Sequence, residues 1–419
     1  MFESLSADST RDWAESGIAC LTGRPDGPPL IPPGRAASVA RAATTWIESA
    51  THGAVRLDGA RLLSERAAFT GHRRAGAVSA GGSCRLLPTA DGWAAVSCAR
   101  PDDPLLLGAL VGTDVGDDPW PAVTAWLAEH TGEDLLDLAE PLGIAAGPVA
   151  PIRAAVPEFL VPRPAEGLLV VDFSSLWAGP LCAHILGLAG ARVVKVETPT
   201  RPDGARYGNA DFYRLLHGGH ESVVLDPGDD LQRRELAELV AAADIVIEAS
   251  RPRALAGFGL DADRFVASGG TWVSITAHGR ESFRIGFGDD IAASSGLIAH
   301  DTQGPVFVGD ALADPLTGVT AAALALSRQA DGRGTLWDVS MSALVSSTLV
   351  SSTPVSSTPV SSNLCTTLQP PVYESAGRWW VDAPSGTVAL AEPERREPAG
   401  AVAESGRDTS KILSELGIR

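Results

Sequence analysis

Lysine is almost absent: in 419 residues only Lys195 and Lys411 occur, so arginine supplies nearly all the positive charge and Lys195 stands out by rarity alone. The net charge is −18 and the pI is near 4.8. Such a surface repels polyanions, and a nucleic-acid partner is not expected. A small anionic ligand remains compatible, because a few arginines or a helix amino terminus can hold it locally. Cysteine is scarce as well. Cys20, Cys84, Cys98, Cys182 and Cys365 are scattered with no CxxC pair, which argues against a zinc site and a disulfide framework and fits a reducing cytoplasm. The eight histidines are dispersed. His217 and His220 sit three apart in "HGGHES", where a polar turn is preferred to a metal site because no third ligand is near. No apolar run reaches membrane-spanning length. The opening "MFESLSADSTRDW" is acidic and polar, unlike a secretory leader, so a cytoplasmic location is expected.

What is present is an ordinary globular composition, 45% apolar and 20% charged. The length suggests two domains or one with an appendage. Residues 1–150 read as a small α+β module. "RAASVARAATTWIESATHG" and "DDPWPAVTAWLAEHTGEDLLDLAEPLG" have helical apolar spacing, with Asp117 or Asp118 as a cap in the second. "CRLLPTADGWAAVSCAR" reads as two strands joined by a turn. Residues 151–166 fall in a stretch with five prolines, "GPVAPIRAAVPEFLVPRPAEG", and read as a linker.

From 167 to 343 the pattern alternates strand and helix. "LLVVDF" is a continuous apolar run, as for a strand buried on both faces. "GPLCAHILGLAGA" follows as a helix with Gly190 as its stop, and "RVVKVE" is the next strand. A helix capped by Asp229 or Asp230, the strand "DIVIEAS", a short helix near "DADRFVAS" and the strand "TWVSITAHG" continue the series. The fold class expected is α/β: an open, mostly parallel Rossmann-like sheet with helices on both faces, plus the smaller α+β module. Residues 344–369 are a Ser/Thr/Pro repeat. In the tail, residues 370–419, Ile412, Leu413, Leu416 and Ile418 form one stripe on a short docking helix.

Open parallel sheets bind ligands beyond the carboxyl ends of their strands, which directs attention to the first βα turn. It reads "SSLWAGP", with one glycine where a dinucleotide enzyme needs three. NAD is therefore not expected, although Glu197 ends the second strand where a ribose carboxylate would sit.

The stretch "LLVVDFSSLWAGPLCAHILGLAGARVVKVE" resembles the opening of the class III coenzyme A transferases, the CaiB/BaiF type that includes formyl-CoA and carnitine CoA-transferases. "DIVIEASRPRALAGFGLD", "WVSITAHG" with "GFGDDIAASSGLI", "PVFVGDALADPLTGVTAAALAL" and "GRGTLWDVSM" resemble later segments of that family, in the same order. "DGWAAVSCARPDDP" through "AGPVAP" is similar to a segment that normally follows the large domain, which implies a rearranged or duplicated architecture.

The resemblance implies transfer of coenzyme A between an acyl-CoA thioester and a carboxylic acid through an aspartate that forms an anhydride and then an enzyme thioester. Donors in a glycine-rich loop would stabilise the tetrahedral oxyanions. It implies coenzyme A contacts at Leu176, Trp177, Ala178, Gly179, Lys195, Thr198, Ala249, Ser250, Arg251 and Arg253. A strand-end salt bridge weighs about evenly against a ligand role for Lys195, and Arg251 and Arg253 are as readily solvated loop charges. Acyl-CoA is expected as substrate, with no metal, no membrane and a homodimer as the assembly.

Several positions depart from the family. The aspartate of "VSM-x-D" is Ala343 here, preceded by Ser342, and a methyl group cannot form an anhydride. Asp338, the nearest stand-in, is more plausibly a structural strand carboxylate. Related racemases place a His–Asp pair where this chain has Asp289 and Asp290, which read as helix caps. The function expected is CoA transfer. A catalytically silent CoA-ester-binding relative or subunit partner is the alternative, and an acyl-CoA racemase or dehydratase is the third reading.

Overall fold

The computed structural model describes residues 8–249, 252–349 and 370–418. Helices α1 (Ser9–Glu15), α2 (Ala36–Ala50), α3 (Gly59–Leu62) and α4 (Glu65–Thr70) come first. The hairpin β1 (Cys84–Pro88) and β2 (Trp93–Ser97) follows, then α5 (Asp103–Val111), α6 (Trp120–Glu129), α7 (Gly132–Leu142) and β3 (Ala146–Pro148). The break between α6 and α7 falls at Thr131, whose hydroxyl accepts from Asp134 N while the Asp134 carboxylate accepts from Thr131 N, a capping box that starts a new helix. Residues 149–168 contain only the short strand β4 (Val161–Pro162).

The alternating region runs β5 (Leu169–Asp172), α8 (Ala178–Leu188), β6 (Arg192–Glu197), α9 (Ala210–His217), β7 (Glu221–Val224), α10 (Asp230–Ala241), β8 (Ile245–Glu248), α11 (Pro252–Gly257), α12 (Ala262–Ala267) and β9 (Thr271–Thr276). It continues through α13 (Gly288–Ser294), the hairpin β10 (Ile298–Asp301) and β11 (Gly304–Phe307), α14 (Ala313–Ala325), β12 (Ser327–Arg328), β13 (Thr335–Ser340) and α15 (Met341–Ser347). The meander β14 (Val372–Ser375), β15 (Arg378–Ala383) and β16 (Gly386–Ala389) and the helix α16 (Thr409–Glu415) close the chain.

Six strands form one parallel sheet in the order β13-β9-β8-β5-β6-β7. The chain therefore starts at the sheet centre, winds outward through β6 and β7, then returns to the other side of β5. The expected α/β architecture is present. Side chains alternate between two apolar layers, as a two-faced strand requires. Val170, Val193, Ile245 and Ile247 face the layer with α2, α8 and α14, whereas Val171, Val194, Val196 and Val246 face α10, α12 and α16.

The first four helices bury Trp13, Val39, Ile47, Leu62 and Ala67 in the same apolar layer as α8 and α14. The small sheet β1-β2-β3 instead has its own layer: Leu87, Ala94 and Val96 pack on Leu107, Val123, Leu127 and Leu135. Its other face, with Cys84, Leu86 and Ala95, lies on Ala293 and Ile298. Ile412 and Leu413 of α16 are fully buried against the β7 side of the parallel sheet. There Asp408 N donates to Ser222 O at 2.9 Å and the Asp408 carboxylate accepts from Ser222 N at 3.0 Å, which covers an otherwise open sheet edge. β7, the β10–β11 hairpin and the β14–β16 meander are elements that sequence pattern alone did not reveal.

Candidate functional site

The strand order reverses between β5 and β8, and the turns leaving these two strands meet there. The turn after β5 passes through Leu176, a non-glycine residue at φ 68° with its side chain about half exposed. Its N–H donates to Asp203 Oδ1 at 3.0 Å, fastening the turn to the loop after β6. Trp177 is 2% exposed and precedes α8, whose first residues Ala178 and Gly179 are buried. A Cβ on Gly179 would lie 2.1 Å from Ser174 Cβ, so glycine is required for the β5 turn to fold back on itself, and Ala249 Cβ of the β8 turn would stand 3.6 Å away, in ordinary contact. Trp177, Ala178, Gly179 and Ala249 are thereby gathered at one point. Thr198 is half-buried and bridges to Arg201. Ser250, Arg251 and the side chain of Arg253 lie outside the described residues, as do residues 350–369 of the repeat.

Lys195 is 2% exposed at the carboxyl half of β6. Its Nζ donates to Ser174 O at 2.7 Å and lies 2.9 Å from Asp203 Oδ2. Nearby, Asp203 N donates to Glu197 Oε1 at 2.7 Å and Arg206 Nε donates to both Glu197 oxygens at 3.0 and 3.1 Å. Lysine and arginine are therefore each matched by a carboxylate. Tyr213, His217 and His220 fill the remaining space, with the His217 and His220 ring centroids 5.7 Å apart. Burial, then the positive Lys195, holds both histidines neutral, His220 down to about 4 and His217 well below its usual value. The "HGGH" pair is thus part of an interior cluster and not a surface turn. Among the described residues, no group of three His, Cys, Asp or Glu is arranged to hold a metal ion.

At the other end of the sheet, β13 delivers the "VSM" segment to the start of α15. Ser340 caps this helix, accepting from Ala343 N at 3.3 Å, and Ser342 N donates to Ala277 O at 3.0 Å. Ala343 is half-buried. Asp338 is exposed and bound in place: it accepts from Thr276 Oγ1 at 3.1 Å and from Arg280 N at 2.9 Å. Those bonds tie β13 to the loop after β9. Glu248, at the end of β8, is buried against Ser274 Oγ at 2.5 Å and the Arg280 guanidinium.

A third constellation was not legible in the sequence. Asp289 and Asp290 lie in the first turn of α13, Asp310 lies in the turn before α14, and Asp314 lies in the first turn of α14. Asp290 Oδ1 accepts from Phe287 N at 2.9 Å, the cap expected of it, and also from Ser97 Oγ at 2.8 Å. Asp289 differs: its Oδ1 accepts from Ala311 N at 2.7 Å, reaching across to the next turn. Ala311 holds φ 46°, a strained backbone for alanine, which turns the fully buried Asp310 toward α4. There Arg66 grips both Asp310 oxygens, with Nε at 2.9 Å from Oδ2, and His72 Nδ1 lies 3.2 Å from Oδ1. The Arg66 guanidinium carbon also stands 4.9 Å from the Trp177 ring centroid, joining this cluster to the βα turn. A Cβ on Gly288 would fall 2.3 Å from Asp314 Oδ2, so the two helix starts converge only because residue 288 is glycine.

Burial works against charge on all four acids. It pushes Asp290 and Asp314 up to about 7 and raises Asp289, which also feels the negative Asp310. Asp310 is buried too, but the Arg66 charge and hydrogen bonds hold it below the usual carboxylate range. Environments that push neighbouring carboxyls apart create a proton donor beside a proton acceptor.

Residues 166–363 match the family model CoA-transferase family III, a stretch that encloses every large-domain motif quoted above. Succinyl-CoA:glutarate CoA-transferase of Mus musculus is 31% identical over 199 residues, 43% of this chain and 45% of that protein. Succinyl-CoA–D-citramalate CoA-transferase of Chloroflexus aurantiacus is 27% identical over 199 residues, covering 43% and 50%. A CaiB/BaiF family protein from Brucella suis has a crystal structure that aligns with TM-score 0.41 and 28% identity, over 45% of this chain and 56% of that one. The chain spans about half the length of the curated relatives it matches. Residues 166–363 are thus similar to CoA-transferase family III.

Proposed function

We propose that this chain binds a coenzyme A thioester at the junction of the β5 and β8 turns and takes part in exchange of coenzyme A with a carboxylic acid, without supplying the nucleophile from residue 343. The observation that carries this reading is the α15 start. The helix is built and capped at the carboxyl end of β13, yet its third residue presents a methyl group. Asp338 does not replace it, because both of its oxygens already accept hydrogen bonds that hold two loops together. A nucleophilic carboxylate must reach a thioester carbonyl, and a helix amino terminus would favour its negative charge. A homodimer in the cytoplasm, with the small sheet module preceding the parallel-sheet domain across a linker at 151–166, belongs to the same proposal.

The test is to measure acyl-CoA binding by calorimetry and then challenge the acyl-CoA-treated protein with hydroxylamine, which modifies a carboxyl-bound thioester. Binding without an adduct is expected from the native protein. An adduct on a native carboxylate sinks the reading, and so does failure to bind any acyl-CoA.

The split charges of the four acids favour a second reading, proton exchange at the carbon beside a thioester carbonyl. One carboxylate of this cluster would take the C–H proton while the bonding pair moves into the enolate. A neighbouring carboxylic acid, Asp290 or Asp314, would return a proton to that carbon and recover its negative charge. Solvent deuterium entering acyl-CoA on incubation in heavy water supports this reading, and its absence removes it.

A further inference from the structure

The acid cluster takes its guanidinium from outside the stretch that matches the family. Arg66 belongs to α4, whereas Asp289, Asp290, Asp310 and Asp314 all lie between 166 and 363. The match cannot account for that contact, and three features show it to be built. The guanidinium addresses both oxygens of one carboxylate. Its plane carbon stands over Trp177. The carboxylate is delivered by a left-handed Ala311, a conformation an alanine keeps only under constraint.

We propose that Arg66 is a positioning residue that fixes where the protons of this cluster reside, holding Asp310 as the carboxylate and leaving the buried carboxyls beside it to share the protons. The groups facing Asp310 and Asp289 come from every neighbouring element. α4 contributes Arg66, and the chain after it contributes His72 and Ser79. Cys84 comes from β1, Ser97 from β2, Asp290 from α13 and Asp314 from α14. Arg284, in the loop before α13, also feels Asp290. Of these, only Arg66 binds Asp310 with two donors. Four carboxyls against one bidentate cation cannot all ionise in a buried space, because each further charge meets both desolvation and its neighbours. The cation decides which of them ionises first. A conserved-charge replacement would keep that order, and a neutral one would abolish it. The chemical use of the placed proton rests on the proton-exchange reading above. The placement itself does not.

Infrared difference spectroscopy of the protonated carboxyl C=O band, titrated from about pH 4 to about pH 8, tests the placement without any substrate. The native protein should keep protonated carboxyls well above the range where ordinary Asp and Glu ionise. Arg66→Met should add about one carboxyl to that band near pH 6.5, and Arg66→Lys should restore the native profile. Asp310→Asn leaves Arg66 facing Asp289, so it should remove about one carboxyl from the band near pH 6. It serves as the second probe if Arg66→Met does not fold. A native cluster fully ionised by about pH 5, or an unchanged band in a folded Arg66→Met or Asp310→Asn, overturns the proposal. The altered band with no deuterium in acyl-CoA upholds the placement and removes the proton-exchange reading. Deuterium exchange with an unmoved band does the reverse.

Discussion

Two buried polar clusters flank the same βα turn, and they balance charge in opposite ways. Around Lys195 every cation has its carboxylate: Lys195 with Asp203, and Arg206 with Glu197. The histidines there stay neutral. Around Arg66 the carboxyls outnumber the guanidinium, and the imbalance is settled by protons. The Lys195 network pairs each cation with a carboxylate, although the Tyr213 hydroxyl, both His217 ring nitrogens and Asp172 Oδ2 find no hydrogen-bond partner among the described residues. An unbalanced network must exchange protons with its surroundings to exist. Lys195 was conspicuous in the sequence for its rarity and proves to be a fastener between β6, the β5 turn and the loop at Asp203. The acid cluster was nearly silent in the sequence and holds several buried carboxyls whose proton affinity is raised.

The comparison is broken most severely by Lys195→Met. It strands the buried Asp203 carboxylate and the Ser174 carbonyl, and a loss of about 3–5 kcal/mol is expected, measured by urea unfolding. Asp314→Asn, in the unbalanced cluster, should cost far less at neutral pH because a neutral group replaces one already disposed to hold a proton.

The pH dependence of stability separates the clusters by sign. The folded state depresses His217 and His220, so their contribution is present above about 6.5, the unfolded value, and is lost as pH falls toward about 4. The folded state raises Asp290 and Asp314, so their contribution is complete below about 3.8 and is lost as pH rises toward about 7. Between about pH 4 and pH 6.5 the two oppose each other, each group tending toward a slope of at most about 1.4 kcal/mol per pH unit. The native protein should therefore be nearly flat in this window. Asp290→Asn with Asp314→Asn should expose a stability that rises with pH, and His220→Gln one that falls. Chemical denaturation at several pH values reads both, and parallel curves for all variants would remove the distinction.

A gain of chemistry is expected from Ala343→Asp. The position is half-buried at a helix start, so a carboxylate fits there at a cost below about 1 kcal/mol. With acyl-CoA, the variant should become sensitive to hydroxylamine while the native protein does not. The smallest effect belongs to Asp338→Asn. An exposed carboxylate exchanges two hydrogen bonds with a loop, and a thermal-unfolding change of about 1 kcal/mol or less is expected, with acyl-CoA binding unaltered.

The parallel sheet was legible because a strand buried on both faces leaves a short apolar run, and β5, β6 and β8 each do so. The α15 start was legible because "DVSM" is a local string that a strand end and a Ser cap translate directly into geometry. β7 was missed: "ESVV" is only four residues, and its edge is completed by Asp408 from far along the chain. The break between α6 and α7 was hidden in a periodicity that runs through both, and Thr131 with Asp134 was its only mark. Asp289 and Asp290 were both readable as caps, and Asp290 does cap. Asp289 was drawn away by Ala311 N, a partner 22 positions later.

By itself the sequence determined the α/β alternation, the glycine that tightens the β5 turn, and the methyl group at position 343, since each is written in neighbouring residues. Only the tertiary structure decided the charge states. Arg66 and Asp310 are 244 positions apart, and nothing local announces their pairing. A carboxyl's protonation depends on burial and on which charges stand within a few ångströms, and both are properties of the folded chain.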